Sequence, residues 1–419
     1  MTNTTLRIRV PQYSIYECVV ILFLLAIPLQ PLFTRYGYYA VGGLCMVLFV
    51  WGIKRFRFIQ FEVYYALFLT YSILSVYRSP NGSFAMIRAM LISFCFAVCA
   101  MKLLYGVMGS VDKTVDFVSY WMIKGSVFIT IFCILYERPF HIGGSRLGTT
   151  VFASYGSRMF LTYALTLSML FLLQKIMTGK AVRWNYLEVL IVFSGMALSG
   201  TRKLLLIFAI FVVVYYWIEN RKRALKIMKF LALGGFSIFV LYYLFTNVTF
   251  LYNSFWVRFQ MLFDFLETGQ GDSSASVRFQ MIKDAFQTFM SNKLFGVGTD
   301  GFKALFAYEG VRLYSHNNFV ELLCNLGLTG FLLFYIPYFT TIGKLAKRIS
   351  LKTKYGSFFL AALLSILVSE FFTITYYQVP FLLFYELAAL YAKHGAESYQ
   401  IETAYPKQTV KHSEESCYE

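Results

Sequence analysis

Charge is the scarcest commodity in this sequence. Only 14% of its 419 residues are Asp, Glu, Lys or Arg, against about 25% in an ordinary soluble domain. That shortfall excludes a water-soluble globular fold of usual make-up, because long uninterrupted runs of Phe, Tyr, Leu and Ile take its place. Acidic residues are scarcer than basic ones, 21 against 38, for a formal net charge of +17. The imbalance gives no reason to expect nucleic acid, since membrane proteins concentrate Lys and Arg in their cytoplasmic loops. Metal-ligand spacing is absent as well. Of the seven cysteines, all but Cys417 fall within apolar runs, and none has such spacing with a nearby His. Neither a zinc site nor a disulfide framework is expected. No GxxxxGK[ST], HExxH or GxSxG occurs, which removes support for ATP hydrolysis, zincin and serine-hydrolase chemistry. No cofactor is expected. No internal repeat is visible. The opening MTNTTLRIRV lacks a short apolar core ending in small residues, so the first span is expected to stay as an anchor.

What the sequence does have is hydrophobic length. Hydrophobic residues make up 58% and aromatic residues 20%, with a mean hydropathy of +0.61. A run of about 20 apolar residues crosses a bilayer as a helix, because a helix satisfies its own backbone where no water can. Twelve spans are expected, at 15–33, 37–53, 59–77, 84–105, 115–137, 159–178, 185–200, 204–218, 227–246, 317–342, 356–376 and 379–393. The fold class is all-α and polytopic, and the short seventh and eighth spans suggest a tight hairpin.

Alternate loops then separate by charge. One side collects Arg7, Arg9, Lys54, Arg55, Arg57, Lys175, Lys180 and Arg183, the cluster from Arg221 to Lys229, and the cluster from Lys344 to Lys354. The positive-inside rule makes that side cytoplasmic, with both termini. The opposite side carries one long loop, 247–316. Within it Leu251, Phe255, Phe259, Leu262 and Leu266 recur at helical spacing, as do Phe279, Ile282, Phe286, Phe289 and Met290. Two amphipathic helices are expected there, at the membrane surface or capping the bundle. Residues 1–395 read as a single integral membrane domain, and the polar segment 396–419 as a mobile cytoplasmic tail.

Candidate chemistry sits on the external side. His316 stands at the mouth of a span, followed by Asn317, Asn318 and Glu321. An imidazole at the water boundary exchanges a proton near neutral pH, although a capping histidine would look the same. Three arginines run against the positive-inside bias: Arg146 in GGSRLGTT, Arg202 in SGMALSGTRKLLL and Arg278 in SSASVRFQM. Guanidinium groups suit an anionic lipid diphosphate, bonding phosphate oxygens in pairs without losing charge. The bland alternative is contact with lipid headgroups or with Asp272 or Asp300. Within the spans, Lys124, Glu370 and Glu386 are costly and mark ion pairs or a polar pathway. His394 and His412 fall on the cytoplasmic side, and His141 has no obvious partner.

Taken together, these pieces resemble the O-antigen ligase and Wzy-type polysaccharide polymerase superfamily. The similarity is most specific over 292–335, where NKLFGVGTDGF and SHNNFVELLCNLGLTGF give a Gly-x-Gly turn, a His-Asn pair and a Gly-interrupted span. SGTRK at 199–203, SVRFQM at 276–281 and SRLGT at 145–149 support it. The first four spans resemble the family in hydropathy only. The resemblance implies a GT-C-like membrane fold and a polymerase of O-antigen, capsule or exopolysaccharide. Such an enzyme would join undecaprenyl-diphosphate-linked oligosaccharides on the outer face of a bacterial cytoplasmic membrane, without a metal and with inversion. It implies catalytic roles for His316, Arg202 and Arg278, and substrate contacts for Arg146, Asn317 and Glu321. A flippase and a chain-length regulator are the further partners it suggests. Thr201 and Lys203 depart from the family pattern around Arg202. Three other readings compete: a ligase moving finished glycan to another acceptor, a flippase or transporter of the same lipid-linked sugar, and a shape-and-division type glycosyltransferase using Asp264, Asp272 or Asp300.

Overall fold

The computed structural model describes residues 13–29, 35–52, 58–80, 84–137, 151, 159–199, 202–223, 225–226, 228, 242–243, 246–247, 273–308, 310, 313–349 and 353–404. The described residues form helices and no strand: α1 Ile15–Ala26, α2 Arg35–Gly52, α3 Gln60–Ser75, α4 Phe84–Met108, α5 Val111–Glu137, α6 Met159–Met177, α7 Arg183–Ser199, α8 Arg202–Asn220, α9 Ser273–Ser291, α10 Gly301–Leu305, α11 Asn318–Arg348, α12 Gly356–Ser369 and α13 Val379–Ala404. A 3-10 turn, Val76–Arg78, continues α3.

Polar residues set several of these boundaries. Ser14 and Glu17 cap α1 reciprocally, with Ser14 N donating to Glu17 Oε2 at 2.6 Å and Glu17 N to Ser14 Oγ at 3.3 Å. The side chain of Asn317 caps α11, accepting from Phe319 N and Val320 N. Apolar residues line the outside of the bundle as well as its core: Trp51 is 83% exposed, while α13 is buried from Val379 to Ala392. A helix that is apolar all round belongs in a core or a bilayer. α4, α5 and α11 are long and apolar enough to cross a membrane. Five shorter apolar segments accompany them.

Eleven of the twelve expected spans coincide with helices, and most of the ninth, 227–246, lies outside the described residues. Four details differ from expectation. α12 ends at Ser369 rather than near 376, and 370–378 is non-helical, with Thr373–Tyr376 buried. α13 runs on to Ala404, into the segment read as a mobile tail, because its Ala, Glu and Gln residues are good helix formers. α11 is broken at Gly327. The suggested α7–α8 hairpin does not dominate the packing: α7 leans on α5 and α6, and α8 on α6 and α12. Of the two amphipathic helices, α9 is the second. The first, at 251–266, lies outside the described residues.

α13 runs through the middle, touching α3, α4, α5, α6, α11 and α12. One end of the bundle gathers Lys344 with Gln60 (2.9 Å), Lys354 with Asp116 (2.5 Å), and Arg348 with the carbonyl of Ala392 (2.5 Å). The other end gathers the end of α3, the Gly296–Gly298 turn and the start of α11. Lys344, Arg348 and Lys354 thus cluster at the end opposite His316.

Candidate functional site: a histidine turn at a broken helix

α11 begins as a short helix that stops at Gly327, whose φ of 64° and ψ of −167° lie outside the helical region. A break frees backbone groups that must find partners. The segment 293–298 supplies them. Val297 N donates to Cys324 O (3.0 Å) and Gly298 N to Asn325 O (2.7 Å), while Leu328 N and Thr329 N donate to Lys293 O (2.8 Å) and Leu294 O (3.1 Å). This strap lies so close that a Cβ on Gly327 would stand 2.5 Å from the backbone of Leu294. At Gly298, with φ of 102°, a Cβ would stand 2.4 Å from Ser79 N. Both positions need glycine for room as well as conformation.

α3 holds the far side of the strap. Thr299 Oγ1 donates to Ser72 O (2.8 Å), and Ser75 Oγ lies 2.7 Å from Thr299 Oγ1. Tyr71 OH bridges Phe295 O (3.0 Å) and Leu326 O (3.1 Å). Arg78 donates to Gly296 O at 2.8 Å and stacks over the Phe295 ring at 5.3 Å. The Gly-x-Gly motif is thus a rigid splint between α3 and the break in α11.

His316 sits just before α11, on a tight turn with φ of 61°. Left-handed backbone at a non-glycine residue is uncommon and needs surroundings that hold it. Here Glu321 Oε2 accepts Ser315 N at 2.7 Å, and Ser315 Oγ donates to Asn317 O at 3.1 Å. Glu321 Oε1 accepts Asn325 Nδ2 at 3.1 Å, and Asn325 Oδ1 accepts Phe302 N at 2.7 Å. One carboxylate therefore ties the histidine turn to the break in α11. The imidazole is half-buried against Tyr314, with ring centroids 4.3 Å apart. Burial pushes the Tyr314 phenol up, Arg278 pulls it down and Glu321 raises it. The exposed Arg278 of α9 therefore acts electrostatically on the ring that packs against His316.

Beneath the turn is a second, fully buried network. Asn318 N donates to Glu370 O (2.8 Å), and Asn318 Oδ1 accepts Thr375 N (3.0 Å). Asn318 Nδ2 donates to Tyr335 OH (2.9 Å), which donates to Glu370 Oε2 (2.6 Å). Tyr385 OH (2.7 Å) and the Thr375 hydroxyl both donate to Glu370 Oε1. Irregular backbone at membrane depth persists only where protein or a wet cavity satisfies it, and this network does so for 370–378.

The expected site residues are therefore distributed as follows. His316, Asn317 and Glu321 share one turn, and Arg278 lies within electrostatic reach of it. Asn317 and Glu321 spend their side-chain oxygens on this chain's own groups. Arg202 opens α8, but its side chain and all of Arg146 lie outside the described residues. Among the described residues, no group of three His, Cys, Asp or Glu is arranged to hold a metal. Lys124 pairs with Glu188 at 2.5 Å, and Asn185 Nδ2 donates to the other Glu188 oxygen at 2.7 Å. Sequence reasoning passed over Arg78, Tyr314 and Asn325. An arginine at the end of a span expected to be external, as at Arg78, runs against the same positive-inside bias that singled out Arg278.

No curated protein matches the chain closely enough to count as a relative. The family described as O-Antigen ligase matches residues 187–335. The matched stretch contains Arg202, Arg278, the strap, the histidine turn and the broken helix, and it leaves Arg146 outside. Over residues 187–335 this multi-pass membrane protein is therefore similar to the O-Antigen ligase family.

Proposed function

We propose that this chain is a polysaccharide polymerase of the bacterial cytoplasmic membrane. It joins oligosaccharide repeat units carried on undecaprenyl diphosphate, at the external face, with its basic loops and both termini inside. The observation that carries this reading is the His316 turn, held in left-handed backbone beside a buried carboxylate, with Arg278 of α9 acting electrostatically on the neighbouring Tyr314. His316 takes the proton of the acceptor hydroxyl as its oxygen attacks the anomeric carbon. The bond from that carbon to the diphosphate breaks, and the lipid diphosphate leaves with the bonding electrons. Attack opposite the leaving group inverts the anomeric centre, through an oxocarbenium-like transition state.

Arg278 and Arg202, with Arg146 in support, meet the negative charge growing on the diphosphate. A preorganised donor of this kind contributes about 3 kcal/mol. The proton transfer to His316 contributes about 10²–10⁴ in rate. Asn317 and Glu321 act by fixing where the imidazole points, since their side-chain oxygens are engaged within the chain. The exposed apolar face of α9, with Phe279, Phe286 and Met290, suits the outer leaflet beside the lipid carrier.

The family description favours a second reading, in which the same chemistry moves finished glycan onto a different acceptor. Incubation with defined undecaprenyl-diphosphate oligosaccharide and mass analysis of the products tests both. Stepwise elongation on the carrier supports the polymerase, and transfer only to an added acceptor supports the ligase. In cells, His316→Ala and Arg202→Ala abolish long chains while the protein reaches the membrane and single lipid-linked units accumulate. Arg278→Ala gives a partial loss. Normal polymer from the first two variants would refute the assignment.

A further inference from the structure

Toward the opposite end of α3 from the strap, three ionisable side chains from three helices meet inside the bundle. Glu62 of α3, Lys102 of α4 and Glu386 of α13 are 1%, 8% and 0% exposed. Lys102 Nζ lies 2.9 Å from Glu62 Oε1, and Glu62 Oε2 accepts Ile59 N at 2.6 Å. Glu386 faces both of these groups. Yet neither of its carboxyl oxygens accepts a hydrogen bond from a donor among the described residues. Among the described residues, a further titratable neighbour is the Cys99 thiol of α4, which faces both carboxyls.

Among the described residues the charges of Glu62, Lys102 and Glu386 do not balance. Two ionised carboxylates against one ammonium leave a net charge of −1 in an apolar interior, and such a charge is costly without a partner. Adding a proton resolves both difficulties at once. It cancels the surplus charge and provides an O–H donor between two carboxyls that otherwise repel each other.

We propose that Glu62, Lys102 and Glu386 form a proton-binding site, in which the two carboxyls hold one proton between them and Lys102 balances the remaining charge. The site then acts as a neutral clasp joining α3, α4 and α13. Its neighbour on α13, Tyr385, donates to Glu370 in the network beneath His316, so the proton fixes the register of the helix that supports the histidine turn. Losing the proton at alkaline pH leaves the clasp with like charges facing each other and loosens α13.

The test uses the full chain in nanodiscs and does not depend on the enzymatic reading. Infrared spectra at neutral pH show the carbonyl stretch of a protonated carboxylic acid, shifted by ¹³C-glutamate labelling. The band disappears in both Glu386→Gln and Glu62→Gln. In thermal melts at neutral pH, Glu386→Gln leaves the midpoint unchanged. Lys102→Met lowers it, and adding Glu62→Gln to Lys102→Met restores it. A labelled wild-type chain with no such band overturns the proposal, whether or not the variants fold. A band that survives both Gln variants, or a Glu386→Gln midpoint falling as far as that of Lys102→Met, overturns it too.

Discussion

At the scale of single residues, the histidine turn separates side chains that would touch substrate from those that hold others in place. Glu321 accepts from Ser315 N and Asn325 Nδ2 while fully buried. Glu321→Ala therefore orphans two donors at once, at about 1–3 kcal/mol each. The expected result is a lowered melting midpoint and a fall in kcat, with KM for the lipid-linked donor little changed. Asn317→Ala removes a helix cap worth about 1 kcal/mol, and Asn317→Asp, which keeps an acceptor at the cap, restores stability and activity together. A thermal melt beside an elongation assay checks both. If Glu321→Ala instead raised KM alone, Glu321 would be a substrate contact, as its place beside His316 first suggests. The sequence put His316, Asn317 and Glu321 next to one another and made a capping histidine and a catalytic one equally natural. It could not show the left-handed backbone at His316, because that conformation is imposed by Glu321 and Asn325 folding back through space.

At the scale of elements, the break in α11 and the strap beside it are one unit. Most of the strap's bonds to α3 join residues more than 200 positions apart in the chain, such as Ser75 and Thr299. That pairing leaves no periodic trace, so the glycines were legible as a turn but not as a splint. The end of α12 was hidden for a different reason. The stretch FFTITYYQ stays apolar through the point where the helix stops, and hydropathy cannot tell a buried helix from a buried irregular segment. Where patterning alone decides, as along α4 and α5, the expected spans and the observed helices agree closely. Gly298→Ala tests the splint. Its Cβ would sit 2.4 Å from backbone at a φ of 102°, so the strap must lift away from α3. The variant is expected to insert in the membrane at normal levels yet show protease cleavage near the strap and at least a tenfold loss of polymer. Gly43→Ala in α2, where a Cβ meets nothing within 4 Å, is the matched control and is expected to behave as wild type.

At the scale of the whole molecule, two independent observations divide the chain's loops in the same way. Charge segregation in the sequence puts the loops around Lys54, Lys180 and Lys344 on one side, and side-chain bonds tie the Lys344–Lys354 segment to the starts of α3 and α5. The histidine turn, the strap and the end of α3 come together at the other end. Gln60 and Lys344, 2.9 Å apart, lie together at the basic end. If the basic end faces the cytoplasm, a thiol at position 303 in α10 is exposed outside and one at position 180 inside. Lys303→Cys and Lys180→Cys, each in a background with Cys18 and Cys417 changed to Ser, separate the sides. Both lysines are exposed, so access to reagent is not in question. A membrane-impermeant maleimide is expected to label position 303 in intact cells and position 180 only after permeabilisation. The reverse pattern would turn the site toward the cytoplasm, where a diphosphate-linked donor is not yet flipped, and polymerisation at the outer face would be untenable.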